Sequence, residues 1–87
     1  VSRWCVIVLH KETKVKLIDC TPFASEWKPN LHDVRAAADL QVEWYQAREG
    51  SDQFIFEVVD FDALDPKRIV LCPFSMAIYR DEEVRGE

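Results

Sequence analysis

Three aspartates gathered in one short span are the residues of this chain best suited to chemistry. Asp60, Asp62 and Asp65 crowd the stretch that follows the apolar run QFIFEVV. Carboxylate oxygens are hard ligands, so such a trio could hold Mg²⁺ and serve a phosphoryl-transfer enzyme. That chemistry also needs a general base or a phosphate-binding cation close by, and Lys67 and Arg68 are the only local candidates. The wider segment from Glu49 to Pro66 holds six acidic residues, Glu49, Asp52 and Glu57 among them, and no Lys or Arg. A solvated acidic turn accounts for the same residues without any ligand. A third reading has this surface imitating nucleic-acid phosphate and docking in a basic groove of another protein.

The remaining reactive groups stand alone. Cys5 and Cys20 lie in apolar stretches and read as buried small hydrophobes. Cys72, before Pro73, is the more accessible thiol, but no glycine-rich loop follows it to bind an oxyanion. His10 falls in a polar turn and His32 in the first turn of a helix, and each reads as a structural or solvated histidine. Lys11, Lys14 and Lys16 read as solvation and edge protection, because no aromatic residues interleave with them as in single-strand binders. Cys-x-x-Cys and zinc spacings, G-x-S-x-G, H-E-x-x-H, Walker and dinucleotide patterns are missing from the sequence. The sequence assigns no catalytic residue, no metal ligand and no cofactor.

Positioning falls to one long helix, expected over residues 30–49. Asn30 can cap its first turn, Pro29 halts helix upstream, and Asp33 complements the exposed N–H groups. Arg48 suits the unpaired carbonyls at the other end, and Gly50 can take the left-handed turn that closes the helix. The helix carries two apolar stripes. Leu31, Val34, Ala38, Val42 and Tyr45 fall on one side; Ala36, Leu40, Trp44 and Ala47 fall roughly opposite. One stripe suffices to pack on a sheet, so the second needs a cover from elsewhere in the chain or from another protein.

Around the helix the periodicity predicts strands. Residues 3–20 read as a hairpin whose first strand, RWCVIVL, is apolar on both faces and therefore central. The turn carries no Asn-Gly signal, so its register stays open: Cys5 falls opposite either Cys20 or Ile18. Residues 21–29 read as a loop carrying Phe23 and Trp27, either as a lid on the core or as anchors for a partner. Strands follow over 53–61 and 68–72, then a tail over 73–87 whose first half is either strand or helical turn. The layout is β-β-α-β-β, a single α+β domain over residues 1–87. Its mostly antiparallel sheet is expected in the order 2-1-3-4 with the helix packed on one face.

Composition narrows the function classes. A 48% hydrophobic chain of 87 residues with ten aromatics forms a packed globule with one modest core. A net charge of −5 argues against direct nucleic-acid binding, which rests on clustered Lys and Arg. No apolar run approaches the roughly 18 residues of a membrane span, and no signal-peptide pattern opens the chain, so a cytoplasmic protein is expected. In outline the layout is similar to some phage-encoded inhibitors of host machinery, a likeness of arrangement alone that assigns no residue. The expected function is a non-enzymatic protein-protein interaction module, regulatory or inhibitory. Phe23, Trp27, Leu40 and Trp44 are its candidate anchors, with Glu57, Asp60, Asp62 and Asp65 steering a basic or mixed basic and apolar partner. Self-association into a homodimer is the other use of the same surface. The metal-dependent enzyme built on the three aspartates is the rival class.

Overall fold

The structure, a computed structural model, describes residues 3–24, 33–71 and 75–80. The apolar run WCVIVLH forms β1 (Trp4–His10), and KLID returns beside it as β2 (Lys16–Asp19). Ile7 pairs with Ile18 and Val6 with Asp19. Extended by one residue, this register sets Cys5 across from Cys20, the first of the two pairings open to the sequence. The intervening turn has no glycine, and Lys14 adopts the left-handed conformation instead, at φ 62°. His10 holds that turn together: its Nδ1 accepts the backbone N–H groups of Glu12 (3.2 Å) and Thr13 (3.1 Å).

The segment expected as a loop begins with a helical turn, α1 (Thr21–Ala24). Pro22 suits the first turn of a helix, where a missing N–H costs nothing, and Asp19 Oδ1 accepts the Thr21 N–H at 2.9 Å. Trp27 and Pro29, with Asn30, Leu31 and His32 of the expected helix start, lie outside the described residues. The long helix α2 runs over Asp33–Gln46 and stops short of the expected residue 49. Its last turn tightens, Arg48 N–H reaching the Tyr45 carbonyl at 3.0 Å, while the Ser51 hydroxyl satisfies the Gln46 carbonyl at 3.1 Å. Gly50 then takes the left-handed turn at φ 82°.

Strand β3 (Phe54–Asp60) pairs antiparallel with β1 in unbroken register, from Trp4 opposite Asp60 to His10 opposite Phe54. Two short 3-10 turns, Phe61–Ala63 and Pro66–Arg68, lead to β4 (Ile69–Leu71). Cys72 and Phe74 lie outside the described residues. Within the first half of the expected tail, Met76–Tyr79 forms a strand, β5, and residues 81–87 lie outside the described residues.

Among the described residues, five strands make one antiparallel sheet in the order β3-β1-β2-β5-β4. The expected order holds for β3, β1 and β2 and fails beyond them. β5 takes the free side of β2, so the strand read as a lysine-protected edge is interior, and β4 pairs with β5 instead of β3. The chain crosses from one edge to the other through residues 61–68. Phe61 and Leu64 pack against the core on the way, which gives that crossing its hydrophobic return.

Each face of the sheet has its own core. Val6 and Val8 bury against Ala38 of α2, joined by Trp4, Leu17, Val42, Tyr45, Phe56 and Val58. On the opposite face Cys5, Ile7, Ile18, Cys20 and Ala77 cluster, with Phe23, Phe61, Leu64, Ile69 and Tyr79 packed around them. Fully burying a side chain such as Ile18 contributes roughly 1.5–3 kcal/mol. The doubly apolar β1 is thus covered on both sides, by α2 on one and by the crossing segment and α1 on the other. Among the described residues no helix is long and apolar enough to cross a membrane.

Candidate protein-binding surface

The two stripes of α2 separate cleanly. Val34 and Ala38 are buried, and Val42 and Tyr45 half-buried, against the sheet. Ala36, Leu40, Trp44 and Ala47 point away from it. Leu40 is 64% and Trp44 48% exposed. Trp44 lies edge-on to Tyr45 at 5.2 Å, and the Arg48 guanidinium sits 3.9 Å from its ring centroid. That cation holds the indole against the helix and leaves much of the ring to solvent. Near the other end, Arg35 stacks on Trp4 at 4.6 Å and pairs with Asp39 one turn on at 3.5 Å.

A buried carboxylate sets which stripe faces inward. Asp19 shares the helix-facing side of the sheet with Val6, its cross-strand neighbour, and is only 2% exposed. Its Oδ2 accepts the Tyr45 hydroxyl at 2.6 Å and the Gln41 side-chain amide at 3.3 Å, and its Oδ1 takes the Thr21 N–H. Burial, reinforced by the Asp19 carboxylate, pushes the Tyr45 phenol up from its ordinary value, so the hydroxyl stays a donor. Turning α2 to bury Leu40 and Trp44 would strand this carboxylate, so the network fixes the exposed stripe. The sequence reading passed over Asp19. The sequence carries only part of the signal: in KLID it shares a face with the apolar Leu17, while its donors Gln41 and Tyr45 come from a helix more than twenty residues on.

The opposite face of the sheet offers a shallow groove of about 210 Å³. Ile7 and Leu9 form its floor, Ile55, Glu57 and Val59 of β3 one wall, and Lys16, Leu64 and Tyr79 the other side. Ile55 is 49% exposed. Phe23 is placed on this face, 5.2 Å from Phe61, with the Arg3 guanidinium over both rings at 5.7 and 4.8 Å. The Phe23 anchor therefore belongs to the groove side of the sheet and the Leu40/Trp44 pair to the outer side of α2. The Trp27 anchor lies outside the described residues. Beneath the groove, burial pushes the Cys5 thiol up to about 12, with Cys20 and Asp19 adding to it; such a thiol is no nucleophile at neutral pH.

The three aspartates are tied into local structure. Asp60 Oδ1 caps the Asp62 N–H at 3.0 Å, and Asp65 Oδ1 caps the Lys67 N–H at 3.0 Å. Asp65 also faces Arg68 at 3.7 Å. Asp62 pairs with Arg3, whose hydrogen bond holds that exposed carboxyl below the ordinary range. Their oxygens serve caps and ion pairs, and among the described residues no three His, Cys, Asp or Glu side chains gather as a metal site. Glu57 stands apart, exposed on β3 across from Ile7. Comparison of the chain with protein-family models, with curated proteins and with solved structures found no match.

Proposed function

We propose that this protein is a non-enzymatic protein-binding module, regulatory or inhibitory in action, that engages a partner of mixed basic and apolar surface. One observation carries the reading: Leu40 and Trp44 stand exposed one turn apart on a helix whose other stripe is already packed. Tryptophan on a rigid helix face dominates many interfaces because it removes a large apolar area from water at little conformational cost. The acidic run from Glu49 to Asp65 supplies a field that draws a basic partner and sets the salt dependence of its approach. The cytoplasm is the natural compartment for this reading, since three cysteines make no paired framework and Cys5 and Cys20 are thiols rather than a disulfide although they face each other across the hairpin.

The test compares wild-type protein with Leu40→Ala/Trp44→Ala as bait in source-cell lysate, with light scattering of both proteins alongside. The double variant should keep its far-UV circular dichroism and urea midpoint, because both side chains stand outside the core. It should lose captured partner, or self-association where wild type shows it. Capture and oligomeric state that do not respond to the two substitutions would refute the anchor assignment.

A further inference from the structure

The outer edge of β3 carries backbone groups that nothing in the described structure uses. Two hydrogen bonds bracket the β1–β3 ladder: Lys11 N–H to the Gln53 carbonyl at 2.9 Å, and Phe61 N–H to the Arg3 carbonyl at 2.7 Å. Antiparallel pairs alternate between bonded and non-bonded, and this register runs unbroken between those ends. The odd-numbered residues of β3 therefore bond to β1, and Phe54, Phe56 and Val58 turn their N–H and C=O groups away from it. The Phe54 N–H closes the preceding 3-10 turn on the Ser51 carbonyl. The Phe54 carbonyl and both groups of Phe56 and Val58 remain, and among the described residues no strand lies beyond them.

Side chains decide what suits that edge. A strand added there sets alternate residues opposite Ile55, Glu57 and Val59, on the groove face. Ile55 and Val59 call for apolar neighbours and Glu57 for a cation. The pattern is apolar-x-basic-x-apolar, which reads the same in either strand direction. A second copy of this chain fits poorly, because β3 lies within the run of six acids and no base from Glu49 to Asp65. Pairing two such edges brings like charges together.

We propose that β3 is a docking edge for an extended segment of another protein, pairing backbone to backbone and presenting an apolar-x-basic-x-apolar pattern to Ile55, Glu57 and Val59. This rests on the protein-binding reading above and adds, beside the Leu40/Trp44 stripe, a second contact and the partner chemistry it selects.

The probe is a synthetic peptide, acetyl-Thr-Val-Thr-Lys-Thr-Val-Thr-amide, with a twin carrying Glu in place of Lys. Titration is followed by amide chemical shifts of the full chain. The Lys peptide should move the Phe56 and Val58 amides and bind about fivefold more tightly than the Glu peptide. Glu57→Lys should reverse that preference. Val58→Pro removes an outward N–H while leaving the bonds to β1, and should abolish binding. N-methylating the peptide on its β3-facing amides tests the same bonds without altering the protein. Equal affinity for the two peptides overturns the proposal, as do shifts confined to α2 or no β3 shifts at millimolar peptide. A homodimer that Val58→Pro dissociates overturns the choice of partner. The lysate assay separates the two readings: capture lost in Leu40→Ala/Trp44→Ala but intact in Val58→Pro sinks the docking edge alone, whereas specific capture by no form of the protein sinks the function.

Discussion

Removing the Asp19 carboxylate tests the physical account of this fold most directly. The side chain is 2% exposed and accepts from three donors: the Tyr45 hydroxyl at 2.6 Å, the Thr21 N–H at 2.9 Å and the Gln41 amide at 3.3 Å. Asp19→Ala leaves all three without an acceptor. A stranded buried donor costs about 1–3 kcal/mol. Tyr45 and Gln41 are only half-buried and can recover water, so the net loss should be about 3 kcal/mol rather than the sum of three full penalties. Tyr45→Phe deletes one hydrogen bond to a charged acceptor and should cost about 2 kcal/mol. Asp19→Asn should cost only about 1 kcal/mol. Its oxygen still accepts from Thr21, and its amide can donate to a Tyr45 oxygen whose proton has rotated away. Urea unfolding read by tryptophan fluorescence gives the three values from midpoint shifts at constant slope. A domain of this size unfolds at a cost of about 5–15 kcal/mol, so a loss of about 3 is plainly measurable. If Asp19→Ala falls within about 0.5 kcal/mol of wild type, or if it costs no more than Asp19→Asn, the carboxylate does not hold α2 in its orientation.

Two further measurements bear on the same structure. Cys5 keeps its proton in the fold up to about 12 against an ordinary 9.0, and Tyr45 is likewise raised. Above about pH 9 the unfolded chain therefore binds fewer protons than the native state. Stability, whole below that pH, should fall by about 1.4 kcal/mol per pH unit for each such proton, until the native groups ionise as well. Cys5→Ala should flatten the decline in alkaline urea titrations, and an unchanged slope would contradict the assignment. Among the described residues, two in the left-handed conformation, Gly50 and Lys14, make an opposed pair. Gly50→Ala should lose about 1 kcal/mol through backbone strain alone, since the nearest atom to an added Cβ is Gln53 Nε2 at 4.0 Å. Lys14→Gly should gain about 0.5 kcal/mol, because relief at φ 62° outweighs the added freedom of the unfolded chain. Thermal unfolding of both variants gives the two signs, and a shift in the same direction would refute the strain argument.

The helix and its two stripes were legible because a period of 3.6 residues sorts side chains by angle before any tertiary contact exists. The first strand was legible for a different reason, a short unbroken run of β-branched and apolar residues that suits a strand covered on both faces. The hairpin register was open between two pairings, because a turn without glycine carries no register of its own. The structure sets Cys5 opposite Cys20 with Lys14 left-handed and His10 capping the loop. The end of α2 and the turn at residues 21–24 differ from expectation by a few residues, where capping bonds from Ser51 and Asp19 decide. β5 could not be identified from MAIY by itself. Four apolar residues suit either strand or helix, and it was the open side of β2 that selected strand.

Local chemistry in the amino-acid order determined the α+β class, the position and double face of the long helix, and the excess of acid in its second half. Periodicity and charge are properties of the chain before it folds. Folding alone decided which aspartates matter: Asp60, Asp62 and Asp65 became caps and ion pairs, while Asp19 became the buried acceptor that orients α2. It also decided that β3, not β2, would be an edge strand among the described residues. The physical reason is the same in each case. A carboxylate's role depends on donors and a strand's role on neighbours, and both are brought together across long stretches of chain that no local pattern spans.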